Sequence, residues 1–365
     1  MRLVSIAIAC ACVAVNSGCG SRRDAPLDAV QAPCVSRPAS VEGQAIEWHQ
    51  ARASDARGLD RWCRAVGPPI LVPVPAVPAA ASPPRLDDLV VVTWNLHLSE
   101  GRLAELVAQL RSGALTGQPV GHFVLLLQEL HRRGPEVPVY PRDGRAAFHL
   151  GSREAHPRDA RAYAASLGLS AWYVPSMRNG TSVREDRGNA ILSTEPLLDL
   201  QAIELPLDRQ RRVVVGAAVE VRTGRGVEKL VLFDVHLEPV SAPRSLWLIR
   251  NPRDRQVRAI LGVASNDRFL TGAGAVIGGD FNTIRDFEEK AYHRVRAWSA
   301  SLAGENRRFT HLLGRLDYLF FRLAGDWQAT TTRIRERFGS DHHPVVGRFV
   351  AAPWRLFSRG GGHLD

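Results

Sequence analysis

The stretch Ala275-Val276-Ile277-Gly278-Gly279-Asp280-Phe281-Asn282-Thr283 decides how this chain reads. Its three apolar residues make a short buried strand. The two glycines let the backbone come close to a neighbour or a ligand, because no Cβ intervenes. Asp280 and Asn282 alternate about Phe281, so in an extended segment both point one way while Phe281 points into a core. An Asp-Phe-Asn turn is the plainer use of the same residues. Polar groups at the end of a buried strand need partners or a task, since burying them unpaired costs free energy.

Six more motifs have this form, with polar residues closing apolar runs. In chain order they are Thr93–Asn95 (TWN), Gln128–Glu129 (QE), Arg187–Ser193 (RGNAILS) and Phe233–Pro239 (FDVHLEP), then Arg315–Phe321 (RLDYLFF) and Gly339–Val345 (GSDHHPV). Asn95 follows the apolar run Leu89–Trp94, and Glu129 follows Phe123–Leu127. If those strands are neighbours, a carboxylate and an amide oxygen emerge at one sheet edge. Such a hard-oxygen set suits Mg²⁺, which takes few protein ligands and keeps several waters. Taken singly, Asn95 reads as a strand-end turn, Glu129 as a helix-start charge and His236 as a structural histidine. Seven motifs in one order are hard to explain that way.

The order resembles the endonuclease/exonuclease/phosphatase superfamily, which includes deoxyribonuclease I, over about residues 88–350. The resemblance implies an α/β four-layer sandwich, with two mixed β-sheets packed face to face and helices outside. It implies metal ligation by Asn95, Glu129 and Asp341, with Mg²⁺ as the cofactor and Mn²⁺ as the alternative. It makes Asp280 the residue that polarises the attacking water and Asn282 a donor to the phosphate. His342 would contact the scissile phosphate, and Asp317 would orient His342. His236 would sit near the leaving oxygen as a phosphate contact and candidate general acid. Arg187 and Asn189 would approach the substrate. His343 falls at the variable position of the last motif and reads as a rim residue.

The residues themselves support the same fold class. Continuous apolar runs at Leu89–Trp94, Phe123–Leu127, Val213–Val221, Leu230–Val235, Ala275–Ile277, Leu316–Phe321 and Val345–Val350 predict strands buried on both faces. Shorter strands are predicted at Trp172–Val174 and Ala190–Leu192. Helical spacing predicts helices over Arg102–Arg111, Pro157–Leu167 and Pro252–Val263. This mixture implies α/β layering. Arg255 and Gln256 read as structural, and Arg178-Asn179-Gly180 as a turn or a second rim contact.

The N-terminal quarter reads differently. Met1-Arg2 followed by the apolar Leu3–Val15 suits a signal peptide, and Ser17-Gly18-Cys19 looks like a bacterial lipobox, although Asn16 stands where leucine is usual. Residues 1–19 are therefore expected to be a leader, with Cys19 as a lipid-anchor site. Localisation would be exported: periplasmic, membrane-anchored or secreted. Residues 20–85 read as a proline-rich tether or strap, with a short helical piece within Val41–Val66 and a Cys34–Cys63 disulfide suited to an oxidising compartment. The catalytic domain is expected over 86–352, and 353–365 as a tail.

Composition bounds the chemistry. From residue 64 onward there is no cysteine, which removes thiol nucleophiles and thiolate metal sites from that part. No GxSxG elbow, GxxxxGK loop or zinc-type His/Cys cluster is present, which argues against acyl hydrolases and P-loop NTPases. The net charge of +10 favours polyanionic partners. The chain is expected to be a monomeric Mg²⁺-dependent phosphoesterase with nucleic acid as the first-ranked substrate. Phospholipid or a small phosphate ester is the alternative, and a non-catalytic binding module on the same fold is the second. No exposed aromatic hairpin of the membrane-acting sphingomyelinase kind is apparent in the sequence.

Overall fold

A computed structural model describes residues 37–50, 59, 62–74, 82–139, 159–178, 184–239, 251–284 and 289–351 of this chain. The leader, Cys19, Cys34, Asn179-Gly180 and the tail from 353 lie outside the described residues. A six-stranded sheet runs in the order β14 (Asp317–Leu323), β12 (Gly274–Asp280), β11 (Gly226–His236), β10 (Val213–Thr223), β9 (Leu198–Glu204) and β3 (Glu47–Gln50). An eight-stranded sheet runs β13 (Leu302–Gly304), β15 (Trp327–Arg333), β16 (Val345–Ala351), β5 (Leu89–Asn95), β6 (His122–Arg133), β8 (Glu185–Ser193), β7 (Ser170–Arg178) and β4 (Ile70–Val72). A small hairpin joins β1 (Ser40–Val41) to β2 (Gln44–Ala45). Both large sheets are mixed: β5/β6 and β11/β12 are parallel, while β12/β14, β10/β11 and β16/β5 are antiparallel.

The strand period of two builds the layers. In β5, Leu89 and Val91 join the core between the sheets, and Val90, Val92 and Trp94 face outward. In β12, Val276 faces inward and Ala275 and Ile277 face outward. The outer face of the eight-stranded sheet is covered by α1 (Leu103–Ser112) and α2 (Ala160–Leu167). The outer face of the six-stranded sheet is covered by α3 (Pro252–Ala264), α4 (Asp267–Leu270) and α5 (Lys290–Trp298). In α1 the predicted positions Leu103, Leu106, Val107 and Leu110 are the buried ones, and Gly113 at φ 84° ends the helix. In α3, Asn251 accepts a hydrogen bond from the Asp254 N–H, with Pro252 in the first turn. The result is the four-layer sandwich.

The segment expected to be a strap contributes to both sheets. β3 pairs in parallel with β9, and β4 pairs antiparallel with β7, each at a sheet edge. Edge positions suit a proline-rich stretch, because one side of the strand needs no ladder partner. The helical piece expected within Val41–Val66 is strand over its first part. Helical backbone appears at Leu59 and Trp62–Cys63.

Inward-facing apolar residues give way to polar ones towards one end of the sandwich. There Gln128 Nε2 donates to Asp234 Oδ1 at 2.5 Å, to Leu126 O at 3.0 Å and to Thr93 Oγ1 at 3.2 Å, tying the sheets together. Burial holds the Asp234 carboxyl far above the ordinary range. Its folded pKa exceeds the unfolded value, so the stability it allows is present below about pH 4 and is lost as pH rises towards the folded pKa. Asp234→Asn carries no such charge. We expect the melting temperature of the variant relative to the parent to climb as the pH is raised above about pH 4. A pH-independent difference in thermal melts would contradict the assignment.

Candidate active site

Register brings the motif residues together at that polar end. In the parallel pair β5/β6, Asn95 lies opposite Gln128. In β11/β12, His236 lies opposite Asp280, and β14 places Asp317 opposite Asp280 from the other side. Asn95, His236, Asp280 and Asp317 share the inward parity of Val91, Leu232, Val276 and Leu319, so all four face the gap between the sheets. Asn95 Nδ2 donates to Asp280 Oδ2 at 3.0 Å and bridges the two sheets. Gly278 is needed for this approach, and Gly279 for the close contact with the neighbouring strand β11. A Cβ on Gly279, at φ 146°, would lie 1.8 Å from the Val235 carbonyl oxygen. One on Gly278 would lie 2.5 Å from Leu319 Cδ2 and 2.7 Å from Leu126 Cδ1.

Beyond Asp280 the chain turns. Asp280 Oδ1 accepts from the Asn282 N–H at 2.8 Å, and Asn282 sits at φ 52°. The extended geometry expected through Asn282 is thus replaced by a turn closed by the Asp280 side chain. Phe281 is fully buried in the outer core, as expected. Asn282 Nδ2 donates to Leu237 O at 3.0 Å, which fixes the amide beside Asp280.

His342 arrives from the segment before β16. Ser340 Oγ donates to Asn95 O at 2.7 Å and accepts from the His342 N–H at 3.0 Å. Trp94 Nε1 donates to His342 O at 3.1 Å. His342 Nδ1 lies 2.8 Å from Asp317 Oδ2, so Asp317 orients the ring, and Nε2 lies 3.9 Å from Asp280 Oδ2. Burial opposes charge on His342, but Asp317, Asp280 and Asp341 outweigh it and push its pKa up to about 10. His343 is buried instead of on the rim: its Nδ1 faces Ile334 O at 3.0 Å and its Nε2 accepts from Arg337 Nε.

Glu129 lies on a β-bulge of β6, between Leu127 and Leu130, at φ 59°. The bulge re-aims the carboxylate. Oε2 accepts from the Leu98 N–H at 3.1 Å, and Asn95 Oδ1 accepts from the His97 N–H at 2.9 Å. One short loop thereby grips both proposed ligands. Burial opposes ionisation of Glu129, yet Arg187, Arg212 and His97 hold its pKa below the ordinary value. Asp341 is close enough to Glu129 to act against that shift. Asp341 itself lies 3.1 Å from His97 Nδ1 and 3.2 Å from His311 Nε2. These imidazoles outweigh burial and hold its carboxyl far below the ordinary range.

His236 Nε2 lies 3.6 Å from Asp280 Oδ2. Burial, then Arg212, Arg187 and His342, depress its pKa well below the histidine range, so the ring is neutral. Arg187 is half-buried, with Nη2 on Met177 Sδ at 3.2 Å, and its charge acts on Glu129 and His236. Asn189 does not reach the site as a free donor: it is buried, and Nδ2 donates to Asp234 O at 3.2 Å. Arg178 is buried in β7, bonded to the Pro138 carbonyl, and is neither turn nor rim. Gln256 is structural as expected, accepting from the Glu238 N–H and donating to Pro206 O.

Arg212 was missed. It is buried, and Glu238, Arg187, Glu129 and Asp280 all act on it. Its signal was the run Gln210-Arg211-Arg212 directly before apolar β10. Arg211 is consumed by Glu204, which leaves Arg212 as the site-facing charge. His97 and His311 were missed too, because isolated loop histidines carry no pattern.

Two carboxylates held ionised near one another, beside an amide oxygen, fit a divalent cation at Glu129, Asn95 and Asp341. Among the described residues, two groups have ligand atoms within 4.8 Å of one another: His311, Asp341 and His342, and Asp280, Asp317 and His342; Glu129 belongs to neither. A two-sheet sandwich closed at one end by carboxylates, imidazoles and arginines is the framework of a phosphoester hydrolase.

The chain belongs to the endonuclease/exonuclease/phosphatase family, whose description "Endonuclease/Exonuclease/phosphatase family" matches residues 92–342. Members are phosphoesterases and typically depend on a divalent metal. Comparison with curated proteins gave no match. Among solved structures, the chain is similar to an endonuclease/exonuclease/phosphatase family protein from Leptotrichia buccalis (14% identity, TM-score 0.47, covering 72% of this chain and 99% of that one). It is similar also to the human Nocturnin catalytic domain (17%, 0.44, 77% and 96%) and to sphingomyelinase C from Streptomyces griseocarneus (19%, 0.41, 71% and 98%).

The Asp317–His342 pair generates a prediction. Asp317→Asn should lower turnover by about a hundredfold or more and bring the His342 titration, followed by NMR, down towards the ordinary histidine range. An unmoved His342 titration would refute the positioning role.

Proposed function

We propose that this chain is a divalent-metal-dependent phosphodiesterase using Mg²⁺, with Mn²⁺ as the alternative. The observation that carries this is the position of Asp280, held by Asn95 from the opposite sheet with His236 and His342 at 3.6 and 3.9 Å. Glu129, Asn95 and Asp341 would hold the cation, which when bound neutralises charge on the phosphate and the leaving oxygen.

The chain's own residues do the rest. Asp280, raised by burial to about 6, is matched to orient a water and accept its proton near neutral pH. His342, fixed through Nδ1 by Asp317, presents a charged Nε2–H to a phosphate oxygen. His236, neutral at rest, is a hydrogen-bond partner of the phosphate and the candidate general acid at the leaving oxygen. Arg187 and Arg212 add positive charge where the phosphate charge develops. Asn282, one Nδ2–H of which goes to Leu237 O, is the donor to the phosphate through the other, and Asn189 holds the backbone at Asp234.

The net charge of +10 favours nucleic acid as the polyanionic substrate. A phospholipid headgroup is the second reading. It is favoured by an apolar turn at Phe309–Leu313, whose Phe309, Leu312 and Leu313 are exposed beside the site. The test is incubation with supercoiled plasmid and with bis-p-nitrophenyl phosphate, in Mg²⁺ and in EDTA. Metal-dependent turnover should fall by about a hundredfold to ten-thousandfold in Asp280→Ala and in His342→Ala, with the fold retained. Plasmid nicking identifies a nuclease. Turnover of the generic diester without nicking moves the substrate to lipid or a small ester. A folded, metal-replete protein inert on every phosphoester would overturn the proposal in favour of a binding module.

A further inference from the structure

Seven large hydrophobic side chains are exposed among the described residues, and four of them lie at one place: Ile284, Phe309, Leu312 and Leu313. Phe309, Leu312 and Leu313 are 66%, 82% and 57% exposed. Gly314 closes their turn, and a Cβ there would lie 2.9 Å from the Ile284 carbonyl oxygen, so Ile284 abuts the turn.

This turn is fixed, not loose. Thr310 N and His311 N donate to Gly314 O at 3.1 and 3.0 Å, and Gly314 N donates to His311 O at 3.1 Å. Buried Thr310 anchors its base, accepting through Oγ1 from the Leu316 and Asp317 N–H groups and through its carbonyl from the His343 N–H. His311 stands 4.6 Å, ring to ring, from His342. The apolar tip is thus held rigidly out from the mouth of the site. A rigid exposed apolar cluster beside an active site marks a binding surface.

The surroundings say what binds. Arg333 Nη1 donates to Phe309 O at 3.1 Å, and Arg308, Arg335 and Arg337 lie close enough to Arg333 to oppose its charge. Arg307, Arg308, Arg335 and Arg337 are exposed. The acid among them, Glu336, faces Arg102 at 3.8 Å. Apolar side chains ringed by arginine fit a surface that offers hydrocarbon beneath anionic headgroups.

We propose that the Phe309–Gly314 turn and its arginines dock this protein on an anionic lipid surface and set the active-site mouth against it. This rests on the phosphodiesterase reading and points to a phosphodiester presented at that surface as the substrate class. No helix among the described residues is long and apolar enough to cross a membrane.

The test is flotation of the full chain with vesicles of phosphatidylcholine alone and of phosphatidylcholine mixed with phosphatidylglycerol, at low and high salt. The protein should bind the anionic vesicles, less at high salt. Binding should weaken by about tenfold in Phe309→Ser/Leu312→Ser, while turnover of soluble bis-p-nitrophenyl phosphate stays unchanged. Arg308→Ser/Arg335→Ser should weaken binding mainly at low salt. If the double variant loses soluble turnover, Leu312→Ser alone, at the most exposed position, decides. Failure of the active protein to bind anionic vesicles would overturn the proposal. So would binding indifferent to these variants, or a variant defect confined to oligonucleotide binding. Absence of soluble turnover in the parent protein would instead fail the phosphodiesterase reading, and flotation would still judge the docking surface.

Discussion

The hydrogen bond from Asn95 to Asp280, 3.0 Å long, joins β5 of one sheet to β12 of the other. Nothing else at this site can stand where it does unless the two sheets approach that closely. Gly278 permits the approach, since a Cβ there would meet Leu126 of the other sheet, and the buried Gln128–Asp234 bond maintains it one layer deeper. Given that spacing, strand alternation carries His236 and Asp317 to the same face, and Ser340 hooks His342 onto the backbone of Asn95. The site follows from packing two sheets whose inward positions turn from apolar to polar at one end.

The side of the site proposed to hold a metal is built at some cost in backbone energy. His97, Leu98, Ser99 and Glu129 all adopt positive φ, between 46° and 61°. Non-glycine residues in that region cost about 1 kcal/mol or more each, and they persist only where neighbours hold them. Here the holding is visible. The same loop N–H groups that require the unusual backbone donate to Asn95 and Glu129 and aim their oxygens. On this view the strain orients the ligands before any cation arrives.

Much of the architecture was legible because burial on both faces leaves continuous apolar runs. The predicted strands at β5, β6, β10, β11, β12, β14 and β16 all exist, and the structure chiefly extends them. β15 and β9 escaped notice for a physical reason: Trp327–Arg333 is polar and half-covered near a sheet edge, and Leu198–Glu204 alternates with acidic and amide residues. β3 lies in a segment read as helical, and β4 in one whose prolines suggested a linker. At the site, Asp280, Asp317 and His342 were readable as strand-end polar residues. Arg212, His97 and His311 were not, because their role depends on tertiary placement alone. Asn189 shows the converse error: a polar residue in a motif can serve the scaffold.

The most direct measurement is the Mg²⁺ dependence of bis-p-nitrophenyl phosphate turnover by chelator-stripped protein, compared with Glu129→Gln. A metal held by Glu129, Asn95 and Asp341 predicts no turnover in EDTA and saturable recovery with added Mg²⁺ or Mn²⁺. It also predicts a midpoint shifted upward by about tenfold or more in the variant. Full turnover in EDTA, or an activation curve that Glu129→Gln leaves unmoved, would contradict it.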